Sequence, residues 1–331
     1  MASKRWVVDN WQIPVPLGDC SVHLLIDKTK DAKNQIVHAF IMDGGKPADQ
    51  LGADEQIERA LKAIDLHHNN STWQFDAWVV THWDHDHYAG VQAMWNANAA
   101  VRHRAGRPFR KAYFKTDKPY LYCGGTKPSH LDFSDFDIRG PGLNGVALLG
   151  LDLFTGTQIF DAGGRPKTSI GDPDQPRFCV VGADGRVVGS NKVYKEEKTV
   201  SPNESSILAV VYWPGQGGGR TSYFTGGDGN PLAEVQGLEP FLKENQRAGH
   251  LSLPQTPVNM VKLDHHGSSK ENLSDPNLTA MLLPLLEPVN ILVTPGNQYG
   301  HPSKRMFRLT SFTERADNAC NGSLGCTVFP L

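Results

Sequence analysis

Apolar positions along this chain fall in short runs that alternate with Gly-, Pro- and Asp-rich turns. Residues 22–26 and 36–42 are apolar and partly β-branched, with polar residues between them. That pattern predicts two strands of a hairpin, the second ending at Asp43-Gly44-Gly45. Between 53 and 68, Ile57, Leu61 and Ile64 recur at i, i+4 and i+7, with Asp54 and Glu55 near the start. This is one apolar helix face with acidic residues at the positive end of the dipole. Residues 75–81 read as a buried strand, and Val91, Met94 and Trp95 as the face of a following helix. The intervening segment, His82-Trp83-Asp84-His85-Asp86-His87, is therefore expected on a loop at the C-terminal end of a strand, where open α/β sheets hold ligands.

From about 101 to 200 the chain is rich in Gly, Pro and Asp. It predicts a long irregular insertion with short strands near 111–114 and 178–181, the kind of segment that shapes a cleft. Regular patterning returns with strands at 206–213 and 221–225, joined by a Gly-rich turn. The second of these ends at Gly226-Gly227-Asp228. Strands at 258–263 and 289–294 end at Asp264-His265-His266-Gly267 and at a segment reaching His301-Pro302. Apolar strands thus end repeatedly in small clusters of His, Asp, Asn and Gly. Strand ends on one edge of a sheet converge, so separated clusters can build one site.

The six residues from His82 to His87 hold three His and two Asp. Unpaired carboxylates are rarely buried, so core packing does not account for this density, and a solvated loop is the plain alternative. A divalent metal does account for it, because imidazole nitrogen and carboxylate oxygen bind zinc at about 2.0–2.2 Å. Alternation along an extended loop points His82 and Asp84 at one ion, with Asp86 and His87 turned toward a second. Asp228 reads as a bridging carboxylate brought close by the two glycines before it, or as a plain turn. His265 and His266, on an extended segment, point apart, one toward metal and one toward substrate. His301 donates to substrate or orients a ligand. His67 and His68 suit a helix C-terminus, where the dipole favours them.

The bulk numbers set limits on partners. The 331 residues are 39% hydrophobic and 21% charged, a globular balance. Lys+Arg at 33 against Asp+Glu at 35 gives a net charge of -2, with no global attraction for a polyanion. No apolar run reaches membrane-spanning length, and the first residues lack the apolar core of a secretory signal. Five scattered cysteines with no CxxC pair predict free thiols in a reducing compartment, hence a cytoplasmic location.

Residues 81–87 resemble the HxHxDH signature of the metallo-β-lactamase superfamily in an HxDxDH variant, similar to that of the hydrolase domain of ComEC-type DNA-uptake proteins. Further segments resemble that family's motifs in order: Pro16-Leu17-Gly18-Asp19-Cys20, Ile41-Met42-Asp43-Gly44-Gly45, residues 203–208, Thr225-Gly226-Gly227-Asp228, residues 262–268 and residues 297–302. The resemblance implies a single α/β domain over 1–331, a four-layer αββα sandwich. It implies two divalent metal ions, zinc or manganese, held by His82, Asp84, Asp86, His87, Asp228 and His266. Asp86, His265 and His301 are the implied catalytic residues. Asp84, in place of an imidazole, hardens the site toward manganese, while the Irving–Williams order still favours zinc. Asn203 stands near the place of the family's third-motif histidine, which weakens one metal position. No membrane channel segment is read, so DNA uptake is not expected.

The expected activity is hydrolysis of an ester, amide or phosphoester by a hydroxide made from water at two metals. The ComEC likeness offers a nuclease as an alternative. Its support is a basic stretch, Arg102, Arg104, Arg107, Arg110, Lys111, Lys115 and Lys118, with Phe109, Tyr113 and Phe114 interleaved. The balanced charge favours a small-molecule or phosphoester substrate over nucleic acid. A protein of another class, keeping the metals as a structural clip without catalysis, is the third reading.

Overall fold

The computed structural model describes residues 5–46, 52–97, 103–140, 148–161, 164–167, 175–195, 200–214, 220–229, 231–247, 258–268, 282, 286–288, 290–294, 313–315 and 327–330. In chain order the first strands are β1 (Trp6–Gln12), β2 (Cys20–Asp27), β3 (Ile36–Asp43), β4 (Ala77–Val80), β5 (Tyr120–Cys123), β6 (Asp137–Arg139), β7 (Leu151–Asp152) and β8 (Thr157–Gln158). The rest are β9 (Arg177–Ala183), β10 (Arg186–Val187), β11 (Leu208–Pro214), β12 (Arg220–Thr225), β13 (Met260–Lys262), β14 (Asn290–Val293), β15 (Thr313–Arg315) and β16 (Thr327–Pro330). Among the described residues the α-helices with stated bounds are α1 (Ala53–His67), α2 (His85–Asn96), α3 (Phe109–Tyr113), α4 (Pro231–Ala233) and α5 (Glu239–Arg247).

The strands form two mixed sheets. One runs β16-β1-β2-β3-β4-β5-β6, antiparallel as far as β3 and parallel from β3 to β6. The other runs β15-β14-β13-β12-β11-β9-β7-β8, parallel among β12 to β15, with β10 beside β9. Side-chain alternation divides the core in three. Phe40, Met42 and Val79 meet Phe178, Val211 and Met260 between the sheets. Leu24, Ile41 and Trp78, on the other face of the first sheet, pack against Ile57, Leu61 and Ile64 of α1 and Val91 and Met94 of α2. Phe224 and Val261, on the far face of the second sheet, pack against Leu238, Phe241 and Leu242. Each fully buried large side chain is worth roughly 1.5–3 kcal/mol, and this burial sets the register of each strand. No described helix is long and apolar enough to cross a membrane.

The hairpin of β2 and β3, helix α1, strand β4 and the hairpin of β11 and β12 lie where the pattern predicts them. Residues 111–114 do not form a strand. Phe109, Ala112 and Tyr113 bury one side of α3, the i, i+3, i+4 spacing of a helix face. Within the region expected to be irregular, β5 and β6 extend the first sheet and β7 to β10 build one side of the second.

Candidate metal centre

Parallel strands place their C-terminal ends at one edge, and here both sheets do so together. Asp43 closes β3, His82 follows β4 by two residues, Asp228 follows β12, and His265 and His266 follow β13. Helix α2 starts at His85, so Asp84 is its N-cap while Asp86 and His87 sit on its first turn. The second half of the His/Asp run is thus helical rather than an extended loop.

The side chains converge on Asp228, whose Oδ2 lies 3.9 Å from His82 Nε2, 3.3 Å from His87 Nε2 and 3.6 Å from His266 Nε2. Asp84 Oδ2 is 3.6 Å from His82 Nε2, and Asp86 Oδ2 is 3.6 Å from His266 Nε2. His82, His87, Asp228 and His266 are fully or almost fully buried, while Asp84 stands half exposed on the rim. His82, His87 and Asp228 form one set of donors that can share an ion; Asp86, His87 and His266 form another. His301 lies outside the described residues.

Fit to a metal can be judged from hydrogen bonding. Buried polar atoms are almost always paired. Here Nε2 of His82, His87 and His266 and Oδ1 of Asp228 are buried with no hydrogen-bond partner. Orphaned imidazole nitrogens around a carboxylate are the donor set a divalent cation requires, so these residues fit one. Their other ring nitrogens are anchored. Asp43 Oδ2 lies 3.0 Å from His87 Nδ1, and Asp43 also accepts from the Thr81 N–H at 2.8 Å. Thr294 Oγ1 lies 2.9 Å from His266 Nδ1. Partners of this kind fix the tautomer and aim the free nitrogen.

His265 and His266 do not point apart. Both are left-handed, with φ of 45° and 54°, so the segment is not extended and both rings turn toward Asp228. His265 Nε2 lies 3.8 Å from Asp228 Oδ2. Asn203 Nδ2 donates to His265 Nδ1 at 3.3 Å, so the neutral ring carries its proton on Nε2. A protonated Nε2 is a donor and cannot ligate.

Two carboxylates outside the predicted ligand set, Asp19 and Asp43, also belong to this centre. Asp19 forms a buried ion pair with Lys262, which also donates to Gly227 O at 2.7 Å and lies 4.0 Å from Asp228 Oδ1. Each is a single Asp beside a glycine at a strand end, the same signature that marked Asp228. Gly18, with φ of +91°, lets the chain pass against the His/Asp run: a Cβ there would sit 1.9 Å from Asp86 O. Gly227, with φ of +62°, passes close to Thr81: a Cβ there would sit 2.8 Å from Thr81 Cβ.

The charges are balanced within the site. Burial raises the Asp228 carboxyl, but the imidazoles of His87, His266 and His82 outweigh it and hold the group well below the usual range. Burial opposes charge on His87, and Asp228 and Asp43 override it and push the ring well up. For Asp19 burial is likewise overcome, mainly by Lys262. Burial pushes Asp264 up to about 7, with Glu234 packed beside it.

Four of the seven basic residues of that stretch are paired locally, and Arg102 lies outside the described residues. Arg104 pairs with Asp65, Arg110 with Asp135, Lys111 with Asp117 and Lys115 with Asp76. Buried Cys123 has its thiol pushed up to about 12 by burial, so it is not a nucleophile.

No known family profile and no curated protein matches this chain.

Proposed function

We propose that this protein is a metal-dependent hydrolase of the metallo-β-lactamase type, an αββα sandwich with a two-metal centre at one edge of its facing sheets. The observation that carries this reading is the convergence of three orphaned imidazole nitrogens on the buried Asp228 carboxylate. In this assignment His82, Asp84 and Asp228 would hold one divalent ion, and Asp86, His87, Asp228 and His266 would hold the other. The ions are zinc or manganese. When bound, such a pair lowers the pKa of water and polarises the bond under attack.

The chain's own residues supply the rest. Asp43 and Thr294 aim the His87 and His266 rings. Lys262 compensates the charge of Asp19 behind the site. His265, with its proton on Nε2 and its side chain partly exposed, donates a hydrogen bond to the substrate or to the leaving group. His301 is assigned a substrate contact from its motif alone. The acidic partners of Arg104, Arg110, Lys111 and Lys115 support a small ester, amide or phosphoester over nucleic acid.

The test pairs metal analysis of purified protein with a panel of esters, lactones, amides and phosphodiesters, using a chelator and Asp86→Ala as controls. Hydrolysis lost in both controls is expected. Wild-type protein that holds no metal, or holds it stoichiometrically and cleaves nothing on the panel, overturns the proposal.

A further inference from the structure

A second cluster of metal-binding groups lies outside the centre described above. Asp9 sits on β1, and its parity with Val7 and Trp11 turns it to the face that packs against α1. A carboxylate in a helix–sheet interface is costly unless it is compensated, and Asp9 is only 5% exposed. It meets the end of α1, where His68 Nε2 lies 3.1 Å from Asp9 Oδ2. His68 Nε2 is itself buried and makes no hydrogen bond of acceptable geometry. His67 completes the group: its ring centroid is 4.8 Å from that of His68, edge to face, and 5.5 Å from that of Trp11. One donor atom from each of Asp9, His67 and His68 lies within 4.8 Å of the other two.

This cluster is remote from Asp228. Asp9 pairs with Leu24, and Leu24 with Ala39, four residues before Asp43. At about 3.3 Å per residue along a strand and about 4.8 Å between strands, Asp9 and Asp43 are roughly 16 Å apart. The two sites therefore share no ligand.

We propose that Asp9, His67 and His68 form an independent site for a divalent transition cation, zinc foremost. Two imidazoles and one carboxylate match the N/O donor preference of zinc. The ion would sit at the carbonyl end of α1, where the helix dipole favours positive charge. Asp9 is buried, His68 half-buried and His67 exposed, so the solvent side stays open to water as fourth ligand. The bound ion ties the end of α1 to β1 and locks the helix that covers the first sheet.

The experiment compares wild type with His67→Ala, a change at an exposed side chain that leaves the fold intact, and with His68→Ala as a second variant. Each protein is dialysed against micromolar zinc and its bound metal counted. Wild type is expected to hold one equivalent more than either variant. The variants should bind that equivalent at least ~10-fold more weakly. Zinc should also raise the Tm of wild type more than that of His67→Ala. Because the readout is the difference between wild type and variant, it does not depend on how many ions the Asp228 centre holds. An equal zinc count with an equal Tm response overturns the proposal and leaves Asp9 and His68 as an ordinary ion pair at a helix end.

Discussion

His87 Nδ1 lies 3.0 Å from Asp43 Oδ2, and this contact leaves the opposite ring nitrogen facing Asp228. Asp43 is at the same time held by the N–H and hydroxyl of Thr81, one residue before His82. One carboxylate thus aligns ligands from both halves of the His/Asp run without binding an ion in the proposed assignment. Asp43→Asn weakens this alignment while leaving every proposed ligand present. The expected result is a loss of metal affinity of about 10- to 100-fold, measured by competition with a chromophoric chelator. Unchanged affinity would show that Asp43 only caps its own strand.

Asn203 and His265 carry a second prediction. In wild type the Asn203 amide donates to Nδ1 and leaves the proton on Nε2. Asn203→Asp replaces that donor with an acceptor, so the ring proton moves to Nδ1 and Nε2 stops donating. Nitrogen NMR of the imidazoles reports the tautomer directly. Metal content should stay constant, while turnover on the best substrate falls by about 100-fold or more, the scale of a lost proton donor. A switched tautomer with full turnover would remove His265 from the chemistry.

The backbone at Gly18 gives a third. Its φ of +91° is unfavourable for any residue with a Cβ, and the added carbon would meet Asp86 O at 1.9 Å. Backbone atoms cannot step aside as side-chain ends do, so Gly18→Ala must displace Asp19, Asp86 or both. The expected cost is at least ~2 kcal/mol in chemical denaturation, with weakened metal binding. A variant of wild-type stability and affinity would mean that the turn relaxes without moving the site.

The parts of this architecture legible in the sequence are those where apolar period and turn chemistry agree. Residues 22–26 are an apolar, partly β-branched run inside β2, and Ile57, Leu61 and Ile64 define the buried face of α1. β1 is hidden because its polar residues are buried. Asp9 meets His68, Asn10 meets His23, and Gln12 donates to Cys20 O at 2.9 Å. Pairings of this kind exist only in three dimensions, so the stretch does not look like a strand. The same limit applies at the site. His82, Asp86 and Asp228 stand out by density or by flanking glycines. Asp19 and Asp43 each sit in a segment that resembles a family motif, but only the meeting of the two sheets shows that they reach the centre. The left-handed backbone of His265 and His266 leaves no mark in composition, and an extended guess sends one ring the wrong way.

His23 provides the last prediction, one of acid stability. The ring is fully buried between Phe178 and Tyr223, with centroids at 4.7 and 5.6 Å. Nδ1 donates to Asn10 Oδ1 at 2.6 Å, and Nε2 accepts from Ser21 Oγ at 2.9 Å. Both nitrogens are satisfied in the neutral form, and burial pushes the pKa from 6.5 down to about 3. Between those values the unfolded chain binds the proton and the folded one does not. The contribution of His23 is therefore fully present above about pH 6.5 and is lost as pH falls toward 3, by about 1.4 kcal/mol per pH unit. His23→Gln keeps a donor and an acceptor but cannot titrate. In urea unfolding at pH 7.5 and pH 5, wild type should lose roughly 2 kcal/mol more than the variant on acidification. The comparison cancels every other titrating group shared by the two proteins. Equal losses would mean that the ring is protonated and partnered in the folded state, against the hydrogen bonds it makes with Asn10 and Ser21.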